Sequence, residues 1–271
     1  MTNNAEQTNA TIIVSPSDLI GRFNEVMRES FEHPQNDDLL KRANEIAEQI
    51  INITSLTYDK ICNMYREVRG NVMKDIDKRV WDVLNEYIGR YISNVKQNVS
   101  ILDIGTGNGR DLIHGQGLGY DIIGTDNCDG FIEILTQHST DGLLKANSFR
   151  KCDMRSLDFQ ECSFDVVRHN ATLLHMPLIG KGYTVDLALS EAYRVLKPNG
   201  LLYVFVKTGS SLELQDTNEG LGGRVFQFFT HKMLNDAVFR NNFTILFTSD
   251  EVEVRGHSII DWILLIAQKN S

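Results

Sequence analysis

The sequence predicts an α/β fold, a seven-stranded doubly wound sheet with helices on both faces and a helical extension at its N-terminal end. Three observations carry that expectation. The stretch Val99-Ser-Ile-Leu-Asp-Ile-Gly-Thr-Gly-Asn-Gly-Arg110 joins an apolar β-run to a turn holding three alternating glycines behind an acid. From Val99 onward strand patterns alternate with helical ones, which calls for a mostly parallel sheet. Before Val99, apolar residues recur at helical spacing.

In chain order, Met1-Thr-Asn-Asn-Ala-Glu-Gln-Thr-Asn9 is polar and lacks a basic region followed by an apolar core, so it reads as a flexible tail and not a signal peptide. Pro16–Met27 reads as a helix. Asp37–Thr54, with Leu40, Ala43, Ile46, Ala47, Ile50 and Ile51, is an amphipathic helix, and Asn71–Ile92, with Val72, Ile76, Val80, Val83, Leu84, Tyr87 and Ile88, is another. Val99, Ile101, Leu102 and Ile104 suit a strand, Val99–Ile104, buried on both faces. Gly105, Gly107 and Gly109 then permit a tight bend that brings bare backbone against a ligand. A short helix, Arg110–His114, ends at Gly115-x-Gly117-x-Gly119, which helix termination and a turn explain. Tyr120–Thr125, Ser148–Cys152 and Phe164–His169 follow as strands. The helix Asp186–Leu196 must stop at Pro198, Asn199-Gly200 tolerates positive φ, and Leu201–Val206 restarts as a buried strand. After the insertion Lys207–Phe229 come a helix, His231–Arg240, and two strands, Phe243–Phe247 and Ile260–Ala267, as an antiparallel edge pair.

The spacing of the glycines bears on the cofactor. A dinucleotide fingerprint is Gly-x-Gly-x-x-Gly, and counted from Gly105 its third glycine falls on Arg110. What stands here, Asp103-x-Gly105-x-Gly107-x-Gly109, resembles motif I of the class I, Rossmann-like, S-adenosylmethionine (SAM) methyltransferases of small molecules. The resemblance implies that Asp103 and the backbone of Gly105, Gly107 and Gly109 hold the amino-acid end of SAM. Asp126, some twenty residues on, matches the family's ribose acid, with Asn127 beside it; its alternative role is to cap the helix beginning near Asp129. Cys152-Asp153-Met154 resembles the adenine site, where Asp153 would receive the exocyclic amine and Met154 would pack on the ring; otherwise Asp153 is a solvated loop acid. Arg194-Val-Leu-Lys-Pro-Asn-Gly200 is close to the family's turn before the fifth strand. Thr57-Tyr-Asp-Lys-Ile-Cys-Asn-Met-Tyr-Arg-Glu-Val-Arg69 is similar to a segment that forms a lid over the cofactor, with Tyr65 either touching the methionine end of SAM or packing within its helix. The resemblance covers Tyr58 to about Lys269. It divides the chain into a helical lid or substrate cover, residues 11–96, and a SAM-binding domain, residues 97–271.

Composition limits the partners. A chain of 271 residues that is 42% hydrophobic can bury a full core, and its most apolar stretch, Ile259–Ala267, is far short of the roughly 20 residues of a membrane span. A cytoplasmic protein is expected. Cys62, Cys128, Cys152 and Cys162 show no Cys-x-x-Cys pairing and fall inside predicted elements, which suits reduced, mostly buried thiols and neither zinc nor disulfides. A formal charge of −9 disfavours a nucleic-acid partner.

Methyl transfer from a sulfonium needs donor and nucleophile aligned and dry, and a base only where the acceptor arrives protonated. Acceptor-facing groups are expected in Asn170-Ala-Thr-Leu-Leu-His-Met-Pro177, where Asn170 borders the cofactor and His175 is the candidate general base or orienting group; it could instead cap or pack. This loop is not Asn-Pro-Pro-Tyr, the signature of enzymes acting on planar amide or base nitrogens. The insertion is expected to wall the acceptor pocket. Similar enzymes carry Val-Lys-x-Gly followed by Arg-x-Phe, an arrangement that Lys207, Gly209, Arg224 and Phe226 fit; Arg224 could hold an acceptor carboxylate or pair with Glu213 or Asp216. Two readings stand: SAM-dependent transfer to an O or N atom of a small molecule, and a non-catalytic SAM-binding or regulatory protein, with RNA methylation a weaker third.

Overall fold

The computed structural model describes residues 15–33, 35–70, 72–216 and 222–270. The polar run Met1–Asn9 and Gly220-Leu221 of the insertion lie outside them. The central sheet forms where the apolar runs predict it: β1 (Ser100–Ile104), β2 (Asp121–Asp126), β3 (Phe149–Lys151), β4 (Phe164–Asn170) and β5 (Leu196–Lys207). These five pair parallel with one another, and β9 (Ser258–Lys269) joins β5 antiparallel with β8 (Phe243–Arg255) antiparallel outside it. The strand order is β3-β2-β1-β4-β5-β9-β8. The chain therefore winds away from β1 in both directions, and the crevice between β1 and β4, at their C-terminal ends, is where an open α/β sheet receives a ligand.

Helices α4 (Arg110–Gly117), α5 (Asp129–Thr140), α6 (Thr184–Val195) and α7 (His231–Arg240) cover the sheet. The Lys-Pro-Asn-Gly turn is absorbed into the start of β5, with Asn199 at φ +63°, and a register shift between Phe164 and Val166 accommodates it. Two expectations change. The segments Asp37–Thr54 and Thr57–Arg69 are one helix, α2 (Asp37–Arg69), because no glycine or proline interrupts them before Gly70. The insertion is not a plain loop: it pairs as an antiparallel hairpin, β6 (Leu212–Asp216) and β7 (Gly223–Gln227).

The other N-terminal helices are α1 (Pro16–Glu32), capped by Ser15, and α3 (Asp75–Tyr91). They differ in what they pack against. Ile76, Val80, Trp81, Leu84 and Ile88 of α3 share the core of the central sheet, whereas Leu19, Phe23 and Val26 of α1 and Ala43, Ile46 and Ile50 of α2 share a separate cluster with Leu212 and Val225 of the hairpin. Thr54 and Thr57 pin that hairpin to α2: Thr54 Oγ1 accepts from Val225 N at 3.1 Å and Thr57 Oγ1 donates to the Gly223 carbonyl at 3.1 Å. Cys62 and Cys128 are buried, but Cys162 is exposed in the turn before β4, where its φ of +54° turns the side chain out of the core. Among the described residues no helix is long and apolar enough to cross a membrane.

Candidate functional site

An open cleft lies over the ends of β1, β2 and β4 and under α2. Tyr65, Asp103, Gly105, Gly107, Asp126, Asn127, Asp153, Met154, Asn170 and His175 all line it; Gly109 does not. Gly109 is instead the N-cap of α4 at φ +80°, and a Cβ there would stand 2.5 Å from Leu135 Cδ2, so it lets helix and strand pack. At Gly105, φ is +67° and a Cβ would fall 1.9 Å from Thr172 Oγ1. Gly105 and Gly109 are therefore required by what surrounds them, whereas at Gly107, φ +56°, the space is open and a ligand can approach the backbone.

The acids behind the loop are not free. Asp103 Oδ1 accepts from Arg168 Nη1 at 2.6 Å, and the other terminal nitrogen of the same guanidinium reaches Asp111 Oδ1 at 3.0 Å. Arg168 is 0% exposed and stacks its cation 4.1 Å over Trp81, whose indole N–H donates to Asp111 at 2.7 Å. Asn170 Nδ2 donates to Asp111 at 3.3 Å and Asn170 Oδ1 accepts from Tyr203 at 3.2 Å, so this side chain is held beneath the cleft. Burial pushes Asp103 up to about 6 against the pull of Arg168. Burial acts on Asp111 in the same sense, but Arg168 and Arg110 outweigh it and hold that carboxyl at about 2. Sequence reasoning missed this buried triad: Arg168 sits inside an apolar strand, and nothing in the linear order joins it to Asp111 and Trp81.

Asp126 ends β2 with its carboxylate over the glycine turn, accepting from Gly107 N at 2.9 Å and Cys128 N at 3.0 Å. Burial raises its pKa and these backbone donors oppose the rise. The N-cap of α5 is Cys128, so Asp126 does not take the capping position. Asp153 is engaged by Arg155, whose backbone N, Nε and Nη2 donate to it at 2.8, 3.1 and 2.7 Å. Burial raises Asp153, but the Arg155 hydrogen bonds more than offset that and leave it below its usual value. Arg155 also pairs with Glu48 on α2, tying that helix to the adenine-side loop. A second tie joins Asn108 Nδ2 to the Gly70 carbonyl at 3.0 Å.

His175 closes the other end, on a one-turn 3-10 helix, Leu173–His175. Its Nε2 is 3.0 Å from the Tyr58 hydroxyl and its Nδ1 3.0 Å from the Val225 carbonyl. A carbonyl can only accept, so Nδ1 carries the proton and Nε2 accepts from Tyr58. Burial pushes His175 down to about 4, with the Arg224 and Lys207 cations adding to that push. Tyr58, Tyr65 and Phe131 meet edge-on or tilted at 5.6–5.9 Å, and Phe226 lies 4.8 Å from the His175 ring. Phe205 and Trp262, stacked at 4.6 Å, form the floor toward β9. Arg224 makes no ion pair with Glu213, whose carboxylate accepts from Ser211 Oγ at 2.6 Å, and the side chain of Asp216 lies outside the described residues.

Residues 102–204 match the methyltransferase domain family. The matched stretch is a methyltransferase domain, and the fold around it is shared with solved SAM-dependent methyltransferases. The chain is 24% identical over 80% of its length to a sterol 24-C-methyltransferase of Candida albicans, and 27% identical over 48% of its length to a protein-lysine N-methyltransferase of Saccharomyces cerevisiae. The chain spans 59–60% of the length of these two relatives. Its fold resembles 1,6-didemethyltoxoflavin-N1-methyltransferase of Burkholderia thailandensis, with a TM-score of 0.63 over 83% of this chain and 91% of that one, at 17% identity. The donor set of the methyltransferase domain fits SAM: a cleft-lining acid ends β2 over a turn with required glycines, and Asp103 stands at the end of β1.

Two buried imidazoles give the methyltransferase domain a pH signature. His169, 0% exposed with neither ring nitrogen partnered, is pushed by burial down to about 3, and His175 to about 4. Both fall below the unfolded value of about 6.5, so the unfolded chain binds more protons between these limits and stability is lost as pH falls from about 6.5 to about 4. Asp103, raised, works in the opposite sense over part of that range. Thermal unfolding should show the midpoint dropping across this window; a midpoint flat or rising on acidification would contradict the two histidines.

Proposed function

We propose that the protein transfers the methyl group of SAM to an O or N atom of a small-molecule acceptor bound between α2, His175 and the β6–β7 hairpin. One observation carries the reading: the cofactor cleft continues into a wall of Tyr58, Tyr65, Phe131 and His175 that α2 covers, a shielded space suited to a small ligand. SAM, when bound, supplies a sulfonium methyl to an in-line displacement. Asp103, Asp126, Asp153 and the turn hold it, with Asn127, Met154 and Tyr65 against it, and Asn170 braces the floor through Asp111. The helices α1 and α2 act as the cover that excludes water.

His175 orients the nucleophile by accepting a hydrogen bond at Nε2, where the acceptor takes over from Tyr58. Its depressed pKa keeps the ring neutral across the physiological range, so it serves as an acceptor throughout. His175→Ala should lower kcat by about 100-fold through lost alignment, with SAM affinity within about twofold. Calorimetry with SAM and with NAD tests the cofactor: heat with NAD and none with SAM defeats the reading. Transfer of labelled methyl into small-molecule fractions is the expected assay result, while label confined to tRNA, rRNA or protein moves the acceptor to a polymer.

A further inference from the structure

Lys207 closes β5 beside this wall at 9% exposure, and no carboxylate reaches its ammonium among the described residues. Its Nζ donates to the Gln215 amide oxygen at 3.1 Å and lies 3.8 Å from the centre of the Phe226 ring. Arg224 on β7 faces the same ring at 5.5 Å and the Tyr58 ring at 5.4 Å, and its buried Nε has no partner. Arg69, which lines the cleft at the end of α2, converges with Lys74 and Arg255 on a single carboxylate, Glu253, at 3.7, 3.6 and 2.8 Å. Burial drives Lys207 down to about 8, and Arg224, Arg255 and Arg69 add to the push.

These cations come from four separate elements, α2, β5, β7 and β8, and from the residue before α3, in a chain of net charge −9 with 36 acidic residues. Burying like charges together is costly unless an anion joins them. Ring contacts with Phe226 compensate each cation only in part. We propose that the methyl acceptor is an anion whose carboxylate or phosphate is received by Lys207 and Arg224, with Arg69 at the cleft edge. This rests on the methyltransferase reading above. Because Phe226 is shared by both cations and packs on His175, an acceptor anchored there has its remaining atoms directed along the His175 wall toward the cofactor turn. The cations thus select the acceptor and set its register, while His175 aligns the atom that reacts.

The test uses the full chain saturated with S-adenosylhomocysteine, titrated calorimetrically with benzoate, phenyl phosphate and benzamide. At least one of the two anions should bind about tenfold or more tightly than benzamide, and the better of them distinguishes a carboxylate from a phosphate acceptor. Lys207→Gln and Arg224→Gln should each weaken that anion by about tenfold while changing S-adenosylhomocysteine affinity by less than about twofold. Equal binding of all three probes, no binding of any, or variants that leave anion affinity unchanged would overturn the anionic acceptor alone. Failure of the wild type to bind S-adenosylhomocysteine would overturn the reading beneath it.

Discussion

Arg168→Met should destabilise the protein by about 3–5 kcal/mol in urea unfolding at neutral pH, more than any surface change. The guanidinium is the only cation that touches both Asp103 and Asp111 among the described residues, and all three are shut away from solvent. Methionine fills much of the volume but leaves Asp103 without a cation, facing an Asp111 that keeps only Arg110. Asp103 would then titrate still further above its unfolded value, so the penalty should shrink as the pH is lowered and grow as it rises. A loss below about 1 kcal/mol, or one independent of pH, would show that the pair of acids has another source of support.

Asp126→Ala should cost at least about 100-fold in SAM affinity, because two hydrogen bonds from ribose hydroxyls to a charged acceptor are each worth roughly 1.5–3 kcal/mol. The same substitution strips an acceptor from Gly107 N and Cys128 N, so the turn itself loosens. Asp126→Asn separates the two effects: it keeps one oxygen for the backbone and should bind SAM at an intermediate level. If the alanine variant binds within about twofold of wild type, Asp126 serves only the turn.

The sheet and the cofactor turn were legible because their signals are local. Apolar runs ending at Asp103 and Asp126, and glycines at alternate positions, encode their own geometry, and the structure puts β1, β2 and β4 where those runs lie. The hairpin Leu212–Gln227 was not legible as strands, since much of what stabilises it is supplied by Thr54, Thr57 and the apolar stripe of α2, distant in sequence. The join of two predicted segments into α2 escaped for a related reason: the helix passes from one partner cluster to another and its buried face turns polar at Thr54 and Thr57, although the spacing runs on from Leu39 to Ile61. At the site, residue types announced Asp103, Asp126 and His175, but not who holds them. Arg168 to Asp111, Tyr58 to His175 and Arg155 to Glu48 are pairings across 57, 117 and 107 positions, and only the folded chain brings them into register.

The unbroken α2 has a kinetic consequence. Its 33 residues make a rod about 50 Å long, fastened by Glu48 to the adenine-side loop and by Thr54 and Thr57 to the hairpin. A rod has no hinge to divide its displacement, so a tilt that frees one end shifts the other. If α2 covers the site as proposed, cofactor exchange and acceptor exchange would share one door, and spent cofactor and methylated product would leave during the same opening.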